Sequence, residues 1–216
     1  MTSIFIPGRL KSERVPFKLL LPVNKNEESL WEIACAKLEA LLNPKNRFAL
    51  CYDEPLIEIA STFNIEIIRR SKESASIDEP LVEVFGGIDV IDDDKIVFLN
   101  PCMSKLKLKT IDTAIEWFDE QEKFTDATSV TSFNNWVYDA FGNLLTPLDY
   151  SSLSTKDMPI MFKAAHCFHM FDKNTFLEDG QMLHQNHGMF YIQPEECIDV
   201  DTQLDLKILR AINGCK

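Results

Sequence analysis

The sequence predicts a three-layer α/β domain on a mixed, mostly parallel sheet, and three observations predict it. Short apolar runs rich in Ile, Val and Phe recur along the first two-thirds of the chain. Between them lie segments of about ten or more residues with apolar positions at helical spacing. Strands alternating with such helices call for crossovers that cover both faces of a parallel sheet. At 216 residues, 45% hydrophobic and 26% charged, the chain has the composition of a folded protein and suffices for one domain with one core.

Residues 3–7 are apolar and β-prone, a buried strand. Residues 28–42, "ESLWEIACAKLEALL", repeat apolar positions as a helix does and stop at Asn43-Pro44. "RFALCY" (47–52) reads as a strand, "EPLIEIASTF" (54–63) as a helix opening with proline, and "IEIIRR" (65–70) as a strand. A helix is expected over 79–91, then strand "KIVFLN" (95–100), helix "TIDTAIEWFDEQ" (110–121) and strand "DATSVTSF" (126–133). From about Asn134 the pattern changes. "WVYDAFGNLLT" reads as a hairpin turning near Gly142-Asn143, and "LDYSSLSTKDMP" is polar and irregular. "FKAAHCFHMF" and "GMFYIQ" look like strands, and "TQLDLKILRAI" closes as a helix.

Nothing approaches the roughly 18 consecutive apolar residues of a membrane span. The start lacks the basic and long apolar regions of a secretion signal. Six scattered cysteines with no CxxC pair read as reduced thiols, so a cytoplasmic setting is expected. The net charge of −12 argues against nucleic-acid binding, which needs a basic surface to displace counterions. An anionic ligand must then be met by a local cluster of cations.

Such a cluster follows the first strand. "IFIPGRLKSERVPFKLLLP" carries Arg9, Lys11, Arg14 and Lys18, with Ser12 and Pro16 between them. A loop leaving a strand edge offers backbone N–H groups and long cationic side chains to an oligophosphate; a solvated charged loop is the alternative. It is not a Walker A loop, because GxxxxGK[ST] is absent. Near the other end, "ECIDVDTQLD" sets Asp199 and Asp201 two residues apart, hence on one face of an extended chain. Two carboxylates there suit Mg²⁺, while Asp201 or Thr202 could equally cap the final helix. "RRSK" (69–72) and "NPCMSKLKLK" (100–109) follow strands and belong at the same sheet edge. Asn100 is placed to bond a base or sugar hydroxyl, and Lys105, Lys107 and Lys109 to attract a carboxylate or form one wet face. The pairs His166/His169 and His184/His187 suggest zinc, but i and i+3 on a strand face opposite ways, which argues against chelation by the first pair.

The opening resembles the signature "IPAR-x-x-S-x-R-x-P-x-K" of the acylneuraminate and 3-deoxy-manno-octulosonate cytidylyltransferases. Ile6, Pro7, Arg9, Ser12, Arg14, Pro16 and Lys18 fall in register. "CIDVDTQLDLKIL" is similar to the family's closing "IDIDTxxDL". The resemblance implies a Rossmann-like nucleotide-diphospho-sugar transferase fold and a homodimer, with residues of about 134–161 as dimerisation arm. It implies transfer of CMP from CTP to a sugar acid, with release of pyrophosphate. It assigns Gly8, Arg9, Leu10, Ser12, Lys18 and Arg70 to the nucleotide and Asp199 and Asp201 to Mg²⁺. Asn100, Lys107, His166 and His169 go to the acceptor, and Arg9, Lys18 and Asp201 to catalysis. Gly8 replaces the family's Ala, Asn100 a Gln, and His166 and His169 a Gly and a Tyr.

Overall fold

The computed structural model describes residues 2–146 and 160–215. Its strands are β1 (Thr2–Gly8), β2 (Arg47–Cys51), β3 (Glu66–Arg69), β4 (Lys95–Leu99), β5 (Asp126–Phe133), β6 (Met161–Asp172) and β7 (Gly188–Tyr191). They form one sheet in the order β3-β2-β1-β4-β6-β5-β7, in which β6 alone runs antiparallel to its neighbours. The helices are α1 (Leu30–Ala40), α2 (Glu54–Ala60), α3 (Leu81–Val84), α4 (Leu108–Glu120), α5 (Lys173–Asp179) and α6 (Gln203–Ile212).

Strand alternation divides the core. Ile4, Ile6, Ala49, Cys51, Val97 and Leu99 face the layer holding Trp31 and Leu38 of α1, Leu56 of α2, Ile115 and Phe118 of α4, and Leu209 of α6. Their neighbours Phe5, Phe48, Leu50 and Ile96 face the other layer, with Phe85, Ile88, Phe171 and Phe176. Both sides are therefore dry, which is why these strands read as continuous apolar runs.

Two elements depart from the sequence reading. The helix expected over 79–91 is only α3 plus a 3-10 turn at Ile88–Val90. Between them Gly87 takes φ +102°, a conformation glycine adopts freely and other residues do not. The sequence reading left out α5. Asp172 caps it by accepting from Thr175 N–H at 2.8 Å, and Gly180 closes it at φ +77°. The hairpin after β5 forms, with Tyr138 bridged to Leu144. The polar stretch 147–159, nearly half of the expected dimerisation arm, lies outside the described residues.

β1 is where the order reverses: the chain proceeds from it to β2 and β3 on one side, then returns to β4 on the other. Loops leaving the carboxyl ends of β1 and β4 diverge there and open a crevice, the usual ligand position in such sheets.

Candidate active site

That crevice is a cavity of about 590 Å³. Arg9, Lys11, Ser12, Arg14 and Lys18 line it from the loop after β1, Asn100 and Cys102 from the loop after β4, and His166 and His169 from β6. Arg70, Leu81, Val84, Phe85, Phe98 and Met182 complete an apolar end with one buried guanidinium.

The two chain ends meet at its polar side. Lys18 Nζ lies 3.0 Å from Val200 O and 3.2 Å from Asp201 Oδ1, and Arg14 Nη2 is 3.0 Å from the same carboxylate oxygen. Asp201 is available because Thr202 caps α6 instead. Thr202 Oγ1 accepts from Asp205 N–H at 3.2 Å, and the Asp205 carboxylate accepts from Thr202 N–H at 2.7 Å. Burial alone would lower the Lys18 pKa, but its acidic neighbours outweigh it and the group sits above its ordinary value. Cys102 is one neighbour; burial pushes its thiol up to about 11, so at neutral pH it is uncharged and Asp201 is the charge that counts.

Asp199 is more enclosed. Its Oδ1 is buried without a hydrogen-bond partner, and Asn100 Nδ2 reaches its Oδ2 at 3.4 Å. Burial and then the Asp201 charge raise its pKa, against the pull of Lys18 and Asn100. An orphaned carboxylate oxygen beside a second acid is a fit for a hard divalent cation, which often takes one or two carboxylates plus phosphate oxygens. Among the described residues there is no cluster of three or more His, Cys, Asp or Glu that could hold a metal without such help.

The remaining cations are tied down by the segment after β3. Arg9 Nη1 donates to Ile77 O at 2.9 Å, and its Nη2 pairs with Asp78 Oδ1 at 2.5 Å. Lys11 Nζ donates to Ser76 O at 2.8 Å. No local pattern marked Asp78, since only tertiary folding brings residue 78 to residue 9.

Several residues sit differently from expectation. Arg70, 5% exposed, donates through Nη2 to Gly8 O and through Nη1 to Val84 O, each at 2.6 Å, so it clamps the end of β1 to α3. Burial pushes its pKa down to about 10, and its buried Nε lacks a partner. Leu10 N–H is taken by Asp53 Oδ2 at 2.9 Å. Gly8 serves packing: a Cβ there would lie 2.7 Å from the Trp31 ring. Lys107 stands apart from the cavity; its Nζ pairs with Glu196 at 3.1 Å and its N–H donates to the same carboxylate.

The histidine pair also corrects a strand argument. The β5–β6 register shifts between Thr128 and Val130, and His166 takes φ +54° at this bulge. Ser129 Oγ fills the gap, accepting from Cys167 N–H at 2.9 Å and Phe168 N–H at 3.2 Å. The bulge undoes simple alternation, so both rings line the cavity, 5.8 Å apart. His169 is buried, stacked on Phe98, and its Nδ1 lies 3.0 Å from Thr128 Oγ1. Burial, then His166 and His187, push its pKa down to about 4, so it is neutral at physiological pH. His184 belongs elsewhere, 2.6 Å from Asp126 and 2.7 Å from Asp179.

The sequence matches no family model and no curated protein. The fold matches solved structures. A CMP:2-keto-3-deoxy-manno-octonic acid synthetase complexed with CTP aligns with TM-score 0.73 and 13% identity, over 99% of this chain and 98% of that one. The 4-diphosphocytidyl-2C-methyl-D-erythritol synthase of Anaerococcus prevotii gives TM-score 0.69 and 12% identity, over 99% and 96%. A cytidylyltransferase from Leptospira borgpetersenii gives 0.61 and 14%, over 97% and 85%. The chain therefore has the α/β fold of the cytidylyltransferases, as the resemblance of its two ends implied.

Proposed function

We propose that this protein is a cytidylyltransferase that moves CMP from CTP to a sugar acid of the nonulosonic or octulosonic type, working with Mg²⁺. The observation that carries the reading is the Lys18–Asp201 contact of 3.2 Å, which ties the two chain ends together through a lysine that lines the cavity at the switch point of the sheet. An acceptor hydroxyl attacks the α-phosphorus, a new P–O bond forms, the bond to the β-phosphate oxygen breaks to release pyrophosphate, and the hydroxyl proton passes to solvent water. Arg14 and Lys18, which line the cavity, would meet the charge that gathers on pyrophosphate as it leaves. Asp199 and Asp201 would hold Mg²⁺, which when bound supplies further neutralisation at the phosphates. Arg70 borders the cavity and is assigned to the nucleotide base. His166 and His169, whose rings line the cavity, are assigned to the acceptor side. The hairpin with exposed Tyr138, Phe141 and Leu145 supports a homodimer in which that surface is covered.

The test is pyrophosphate release from CTP with Mg²⁺ over a panel of sugar acids. Release that requires both CTP and an acid is expected; preference for UTP or GTP, or CTP binding with no turnover on any acid, would overturn it. A second reading has a phosphorylated or phosphonate acceptor. The match to a synthase of a diphosphocytidyl compound favours it, since its TM-score of 0.69 is close to 0.73. The same assay with phosphorylated polyols separates the two.

A further inference from the structure

Asn100 follows β4 at the reversal of the sheet, and its polar groups are spent inside the protein. Its backbone N–H donates to Cys167 O at 2.9 Å, and its carbonyl accepts from Met103 N–H at 3.2 Å. Its side-chain Oδ1 accepts from Cys102 N–H at 3.0 Å. The side-chain amide then spends its two N–H groups on His166 O at 3.1 Å and Asp199 Oδ2 at 3.4 Å. The first partner is the carbonyl of the residue held at φ +54° in the β6 bulge. The second is a carboxylate whose other oxygen is buried and unpartnered. A neutral amide is the group that satisfies all these contacts. An acid would set a second negative charge against Asp199, and an alanine would leave both the carboxylate and the carbonyl without a donor.

We propose that Asn100 is a positioning residue: it orients the Asp199 carboxylate from the β4 end, so that Asp199 and Asp201 act as a pair toward a divalent cation, and it does not itself bind the acceptor. The inference rests on the metal role proposed above. Partners that orient a metal-binding side chain typically set affinity by about 10–100-fold. The 3.4 Å contact is a long one, so the lower figure applies.

The test is calorimetric titration of the full chain with CTP alone and with CTP plus Mg²⁺, no acceptor being present. In the wild type Mg²⁺ strengthens CTP binding. In Asn100→Ala that strengthening falls about tenfold while metal-free CTP affinity stays within about twofold. Asn100→Ser, which keeps a hydroxyl for Cys102 N–H, shows the same loss and guards against misfolding of the alanine variant. In an Asp199→Asn background, Asn100→Ala adds less than about twofold, because the residue acts through Asp199. Steady-state turnover with an active acceptor shows the loss in kcat and not in acceptor KM. An unchanged Mg²⁺ enhancement together with a raised acceptor KM would overturn the proposal and return Asn100 to the acceptor. A wild type whose CTP binding is indifferent to Mg²⁺ would instead overturn the metal role, and this inference with it.

Discussion

Replacing Asp201 by Asn separates catalysis from folding. The carboxylate is 40% exposed and pairs with Arg14, which is 64% exposed, and with Lys18, 20% exposed. Exposed ion pairs contribute about 0–1 kcal/mol, so the two together stabilise the fold by ~1 kcal/mol once solvent screening is counted. For a chain of this size that lowers Tm by about 2–4 °C. Thr202 and Asp205 continue to cap α6, so the helix is untouched. The effect on turnover is of another order. Removing one preorganised charge partner from a phosphoryl-transfer site costs about 2.7–4 kcal/mol of barrier, or about 10²–10³ in rate. Pyrophosphate release with CTP and an active acceptor, followed alongside a thermal melt, measures both. Turnover within about fivefold of wild type would refute the catalytic reading. A Tm fall of more than about 10 °C would refute the premise that Asp201 is dispensable for folding.

If Arg9 receives a phosphate, as the proposed function requires, the Asp78 carboxylate competes for it, so Asp78→Asn should tighten binding of CTP or inorganic triphosphate between about 1.4- and 5-fold by calorimetry. Weaker binding in that variant would mean that Asp78 orients Arg9 for its ligand. The two buried or paired histidines predict opposite pH limbs in thermal melts. His169, with its pKa pushed down to about 4, stays neutral while the unfolded chain takes up a proton, so stability falls as pH drops below about 6.5. The slope approaches ~1.4 kcal/mol per pH unit and is lost in His169→Gln. His184 is raised by Asp179 and Asp126, so its contribution is complete below about 6.5 and is lost as pH rises through its raised pKa. His184→Gln removes that alkaline limb. Finally, Gly8→Ala forces its methyl to within 2.7 Å of the Trp31 ring, where overpacking costs about 1–3 kcal/mol, read as a lowered urea midpoint.

What the sequence disclosed follows from the range of the interactions involved. The central strands are buried on both faces and α1 repeats its apolar positions up to the Asn43-Pro44 stop, so periodicity located these elements. The Arg9–Lys18 loop and the Asp199–Asp201 pair are compact in sequence, so each could be picked out as a cluster, and Lys18 and Asp201 do meet. Gly87 sits inside an apolar run that looks helical, and only its positive φ reveals the break. Asp172 and Gly180 did mark both ends of α5, a signal that was present and went unused. The His166 bulge depends on Ser129 of a neighbouring strand, and the Arg70 clamp on carbonyls of residues 8 and 84. Neither partner has a signature along the chain.

On the proposed function an acidic protein must receive a polyanion, and its cavity holds cations that are already paired with internal acids. Arg9, Arg14 and Lys18 are each paired with a carboxylate before any ligand arrives, Arg9 with Asp78 and the other two with Asp201. The Asp78 pair is exposed, 35% on one side and 70% on the other, so a phosphate can displace it at small cost. Lys18 differs: it is largely buried and also donates to Val200 O, so it would keep its place if Asp201 turned toward the proposed cation. The site is thus poised by internal acids of two kinds, one expendable and one retained. Asp78→Asn and Asp201→Asn should therefore shift ligand affinity and turnover in opposite directions. Equal losses of turnover in both variants would show that the two acids do the same work.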